Sequence, residues 1–178
     1  MAMRWMTAGA AMLVLAACME TVEIGSPPGG GGSRPAGGTR AGGGSTPAGG
    51  SAGVQEMARL VNAHRQARGC PALVWLEGAA QAAQAHSADM ARRGYFDHVT
   101  PEGRQPWDRL AARGVAYRAV AENIAWTPEQ SAAQTLRGWI NSPGHRQNLE
   151  NCAYTHHGIG MRSAYWTHVF VTPAPARP

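Results

Sequence analysis

The chain has no lysine. All 16 of its basic residues are arginine, and only 15% of its 178 residues are charged. No run of five or more basic residues occurs, which argues against an electrostatic nucleic-acid binder despite a net charge of +5. A diffuse cationic surface is the reading that remains, with at most weak affinity for anionic envelope polymers. Long apolar runs are also missing. The run at residues 8–17 is too short to span a bilayer at ~1.5 Å per residue. Only three cysteines are present and none stands in a C-x-x-C pair, so a zinc site built on thiolates is disfavoured. There is no G-x-S-x-G nucleophile motif and no H-E-x-x-H helix, so no local signature of a serine hydrolase or a zinc protease is present.

What is there falls into three parts. Residues 1–18 read as an export signal: Arg4 supplies a positive start, and the apolar run ends in Leu15-Ala16-Ala17-Cys18. That ending resembles a bacterial lipobox, which implies that Cys18 is lipidated and tethers the mature chain to a membrane outside the cytoplasm. The alternative is an ordinary signal peptide that contains a cysteine. Met19 is not the Asp that retains many lipoproteins at an inner membrane, which favours an outer membrane where two membranes exist. Residues 19–53 hold most of the glycine, 13 of 23 between Gly25 and Gly53, with almost no large apolar side chain. Such a segment cannot offset its ordering entropy and is expected to be a disordered tether, with an end-to-end distance on the order of 30 Å. With Cys18 assigned to the anchor, Cys70 and Cys152 remain. Two thiols in an oxidising compartment suggest one disulfide.

Residues 54–174 carry the periodicity of a folded domain of α+β class. Val54, Met57, Leu60 and Val61 mark a helix that stops before Gly69 and Pro71. Leu76 to Met90 marks a second, ended by Gly94. Pro106 to Arg113 reads as a short third, and residues 117–126 contain a strand. Thr127-Pro128-Glu129-Gln130 reads as a capped start of a fourth helix that runs to Ile140, and Ser142-Pro143 starts a fifth. His157 to Met161 and Tyr165 to Val171 read as two strands paired through a turn near residues 162–164. Helices first and strands last suggest helices packed on a small, largely antiparallel sheet.

Several separated segments then resemble the bacterial branch of the CAP superfamily, the SCP domains of cysteine-rich secretory and pathogenesis-related proteins. They are VNAHRQARGCPAL, AQAHSADMARRGYFDHVTPEGRQPWDRL, AENIAW, GWINSPGHRQNLENC, and HHGIGM followed by YWTHVF. They occur in the family's order over residues 54–171. The resemblance implies an α-β-α sandwich and a cleft lined by His and Glu residues that can hold a divalent metal. His98, from YFDH, and Glu122, from AEN, match that cleft. The family's second Glu is absent: its position falls near Asn141-Ser142. The family's later strand His falls near Tyr165, and His145 of SPGHR stands in instead.

His98, Glu122 and His145 are therefore the candidate metal ligands and the candidate catalytic groups. Asn123, Ser142, Tyr165 and His168 are candidates for the cleft wall. Two imidazoles and a carboxylate suit zinc or a similar divalent metal, with a position left for water. The alternative is a metal-free His–Glu–His hydrogen-bond network. A helix dipole at His145 would keep its ring neutral. His86 and His64 are read first as packed core histidines, His156 and His157 as pointing to opposite faces, and the tryptophans as core and rim. Three functions stay open: a membrane-tethered module that binds a small molecule, lipid or glycan; a metal-assisted hydrolase of envelope peptide or glycan; and a structural or adhesive domain with a vestigial cleft. The expected state is monomeric, without nucleic acid.

Overall fold

The computed structural model describes residues 51–129 and 131–175. The expected lipid anchor at Cys18, most of the expected tether and the capping role expected of Gln130 lie outside them.

Helix α1 (Ala52–Ala67) starts two residues earlier than its apolar pattern, because the Ser51 side chain accepts a bond from the Val54 amide. Residues 51–53, expected in the tether, form the cap and first residues of this helix. Helix α2 (Glu77–Arg93) ends where expected, at Gly94 in the left-handed region with φ 70°. Helix α3 (Pro106–Ala111) begins on a capping box between Gln105 and Asp108. Helix α4 (Ala132–Asn141) is capped by Ser131, which accepts from the Gln134 amide. This corrects the expected start at Thr127: its buried hydroxyl bonds to that of Thr135 at 2.9 Å and ties the loop to the helix instead. Helix α5 (Pro143–Glu150) starts at Ser142-Pro143 as expected.

Four strands form one sheet in the order β1-β3-β4-β2. Strands β2 (Tyr117–Trp126), β3 (His156–Arg162) and β4 (Tyr165–Pro173) are antiparallel, whereas β1 (Val74–Trp75) lies parallel to β3. Two residues of strand leave no periodicity to read, so β1 is invisible in the sequence pattern.

The sheet is filled from both faces, and the alternation along β4 sets the two cores. Trp166 and Phe170 pack with Met57, Val61, Leu136, Trp139 and Leu149 of α1, α4 and α5. Val169 and Val171 pack with Ala79, Ala83 and Leu110 of α2 and α3. The result is the expected α-β-α sandwich, with α2 pressed so closely on β3 that a side chain at Gly158 would overlap the Ala79–Ala80 backbone.

Two devices lock the end of the fold away from the cleft. Cys70 and Cys152 form a disulfide, with Cα atoms 5.0 Å apart, and close a loop of 82 residues. Beside it, the fully buried Arg65 has no carboxylate partner among the described residues. Its guanidinium donates to the carbonyls of Pro71, Leu149, Asn151 and Tyr154 at 2.7–3.2 Å. One planar fork thus gathers α1, the loop after it, the end of α5 and the turn before β3.

Candidate functional site

The site is built on β2, an edge strand, where two consecutive polar residues point opposite ways. Glu122 lies opposite Val169 and so faces α2 and α3, whereas Asn123 lies opposite His168 and faces α5.

Glu122 is 1% exposed, and it is held by two neighbours. Arg109, on α3, donates Nη2 to both carboxylate oxygens at 2.9 and 2.8 Å. His98, in the loop after α2, bonds through Nδ1 to Oε1 at 2.9 Å. Burial alone would raise the Glu122 carboxyl; the Arg109 charge and the His98 bond outweigh it and hold the group at about 2. An ionised carboxylate only accepts, so His98 carries a proton on Nδ1 and turns Nε2 away. Arg109 also donates Nη1 to the carbonyls of His98 and Arg104, at 2.7 and 3.1 Å. One arginine thus fixes both the carboxylate and the loop that carries the histidine.

His145 approaches from the other layer, in the first turn of α5. Its position is set by Asn123, whose Nδ2 donates to the His145 carbonyl at 3.0 Å and whose Oδ1 accepts from Asn148 at 2.9 Å. Burial, then charge on His98, pushes the His145 ring down to about 4, so it is neutral at pH 7. The main cause is burial, not the helix dipole invoked from the sequence. Among the described residues, three buried ring nitrogens of these two histidines have no hydrogen-bond partner: His98 Nε2 and both nitrogens of His145.

The expected cleft wall is redistributed. Asn123 is a buried tie between β2 and α5. Ser142 is half-buried at the start of α5, and its side chain makes no capping bond. Tyr165 is half-buried with its ring 6.4 Å from that of Phe96, two residues before His98. His168 does not line the cleft. It is fully buried in the core under α4, bonded to His157 at 3.1 Å and stacked near Trp139 and Phe170.

The metal expectation meets an obstacle in the donor set. Both Glu122 oxygens are committed to Arg109, and among the described residues no group of three His, Cys, Asp or Glu side chains is placed to hold a metal ion. Two imidazoles remain, fewer than the three or four protein ligands of a zinc site. The set His98, Glu122 and His145 does not fit such a site in this arrangement.

Two site residues went unrecognised in the sequence. Arg109 lies 13 residues from its carboxylate, so no local spacing marks it. His86, read as a packed histidine, is buried but stands 3.9 Å from Glu122 Oε1, with its Nε2 donating to the Asp97 carbonyl at 2.9 Å. Burial first of all lowers its basicity, against the Glu122 charge, which raises it. His64 is not in the core; its ring meets Glu150 at 3.0 Å.

A model of the cysteine-rich secretory protein family, CAP, matches residues 58–172. The chain belongs to that family. The CAP domain is 35% identical over 123 residues to the uncharacterized protein YkwD of Bacillus subtilis, covering 68% of this chain and 48% of that protein. It is 36% identical over 117 residues to the uncharacterized membrane protein YlbC of the same organism, covering 66% of this chain and 34% of that protein. The chain thus spans half or less of the length of these curated relatives. Among solved structures, an extracellular protein containing an SCP domain from Bacillus anthracis matches with a TM-score of 0.65 and 34% identity, over 67% of this chain and 40% of that one. An outer surface protein of Borrelia burgdorferi matches with a TM-score of 0.64 at 14% identity, over 68% of this chain and 93% of that one, and shows the shared fold. Among the described residues no helix is long and apolar enough to cross a membrane.

Proposed function

We propose that this CAP domain is an extracytoplasmic binding module, tethered through Cys18, whose His98–Glu122–His145 cleft takes a neutral, hydroxyl-bearing ligand of the glycan class. The observation that carries the reading is the trio of unpartnered imidazole nitrogens. A buried polar atom left without a partner costs about 1–3 kcal/mol, and the three on His98 and His145 are the set that a ligand would complete. Glu122 is neutralised by Arg109 and His145 is neutral, so the cleft favours an uncharged partner. His98 offers an acceptor at Nε2, and the neutral His145 ring offers one donor and one acceptor, which is the complement of sugar hydroxyls. Exposure to an oxidising compartment accords with the Cys70–Cys152 disulfide, and the lipobox-like Leu15-Ala16-Ala17-Cys18 supports the anchor.

The test is calorimetry on the full chain with a β-1,4-linked N-acetylglucosamine tetramer. One-to-one binding that is lost in His98→Ala and in His145→Ala is the expected result. No binding, or binding that survives both changes, overturns the reading. Zinc titrated in parallel is expected to show no tight one-to-one site; a site lost in both variants would return the cleft to metal chemistry.

One feature favours a second reading, a hydrolase. A histidine oriented by a carboxylate, with its far nitrogen free, is the arrangement of a general base. Release of soluble products from envelope glycan or peptide, abolished in Glu122→Gln with binding retained, would establish it.

A further inference from the structure

A second cleft, of about 480 Å³, opens between α2, α3 and the loop at residues 100–104. Its volume lies within the roughly 300–1,000 Å³ range of small-ligand sites. Arg109 and His86 line it, whereas His98, Glu122 and His145 do not. Its lining thus shares Arg109 and His86 with the surroundings of Glu122 and includes none of the three residues of the proposed binding cleft.

Its charges do not balance. Five arginines line it, and their partners can be assigned one by one. Arg92 and Arg93 share Asp89, and Arg93 also meets Glu102 at 2.6 Å. Arg109 is taken by Glu122. Among the described residues, Arg104 and Arg113 have no side-chain hydrogen bond and no ion pair. Nor is Arg104 placed at random: Thr100 and Arg104 bond to each other through the Thr100 amide and carbonyl O of Arg104 at 3.0 Å and the Arg104 amide and Thr100 Oγ1 at 3.2 Å. That closed turn is further tied to α3 by Arg109. Arg113 follows α3 directly, ahead of the tight turn at Gly114. Two exposed guanidiniums without a partner among the described residues thus line one concave site, together with Arg109 and the buried His86.

We propose that this cleft binds a phosphate monoester dianion, with Arg104 and Arg113 as its two cationic contacts. Planar guanidiniums pair with phosphate oxygens through two parallel hydrogen bonds, and two of them match two negative charges. The space beyond the phosphate accepts the organic group that carries it. This assignment is independent of the function proposed for the His98 cleft.

The test is calorimetry on the full chain at low ionic strength. The probes are glucose 6-phosphate, inorganic phosphate, glucose, and phosphatidylcholine vesicles with and without phosphatidic acid. Glucose 6-phosphate is expected to bind more tightly than inorganic phosphate, and glucose not at all. Arg104→Gln and Arg113→Gln should each weaken binding about ten-fold and their combination about a hundred-fold, in line with loss of charge-assisted hydrogen bonds. Arg162→Gln, which removes the same charge at an exposed position outside the cleft, should leave it within about two-fold. Binding to the phosphatidic acid vesicles alone would keep the phosphate chemistry and assign its source to a lipid headgroup. No binding to any phosphate probe, or equal weakening by Arg162→Gln, overturns the proposal.

Discussion

Replacing Arg109 by Met tests the electrostatic core of the site. Glu122 is fully buried at its side chain and receives both Nη2 bonds of Arg109 at 2.8–2.9 Å, while the arginine side chain is 9% exposed. Breaking a buried pair by removing one partner costs about 3–5 kcal/mol, because a charge is left in a low-dielectric place. The held carboxyl gives a similar figure. A drop from 4.5 to about 2 corresponds to roughly 3 kcal/mol at ~1.36 kcal/mol per unit. The pH dependence follows in sign. In the wild type a depressed carboxyl contributes its stability above pH 4.5 and loses it as pH falls toward 2. Without Arg109, burial is no longer outweighed, so the Glu122 carboxyl rises and the folded state takes up a proton there. The variant therefore gains stability relative to wild type as pH falls. Urea unfolding of the full chain, followed by tryptophan fluorescence, should show a gap of about 3–5 kcal/mol at pH 8 and a narrower one at pH 5. Adding Glu122→Gln to Arg109→Met should close part of it, since the orphaned charge is gone. A gap under about 1 kcal/mol, or one equal at both pH values, would refute the reasoning.

Other regions give independent tests. Gly160→Ala should destabilise the fold by about 3 kcal/mol or more, because its Cβ would overlap the Ala83–Gln84 backbone of α2; thermal unfolding checks it, and an unchanged midpoint would contradict the tight α2–β3 packing. Cys70→Ser with Cys152→Ser should cost about 4 kcal/mol, from the entropy of an open 82-residue loop, measurable as a lower urea midpoint. Burial pushes His157 down to about 3 and His168 well below its ordinary range, so both fold neutral, whereas the unfolded chain takes up protons near 6.5. Stability should thus fall below pH 6.5 by on the order of 1.4 kcal/mol per pH unit for each ring. His157→Leu should make that decline shallower, and an unchanged slope would count against it.

The helices and the long strands were legible because each buries one face at its own period. The Val54–Met57–Val61 spacing marks α1, and the alternation through Trp166, His168 and Phe170 marks β4. Starts were less legible. Thr127-Pro128 has the chemistry of a helix cap, but Ser131 takes that role and Thr127 turns inward to Thr135. At the site, family motifs pointed to His98, Glu122 and His145. They did not show that Glu122 is already paired, because Arg109 reaches it only through the tertiary fold. His168 illustrates the opposite failure: an alternating strand says that a residue faces one side, not how fully that side is covered. The packing of Trp139 and Phe170 around its ring decided that.

The most direct measurement follows the imidazole ring protons of His98 and His145 by NMR while the full chain is titrated with the N-acetylglucosamine tetramer. The account requires both sets of signals to shift together and saturate at the same concentration, because one ligand completes both rings. Signals that stay still, or a shift confined to one ring, would contradict a shared binding cleft.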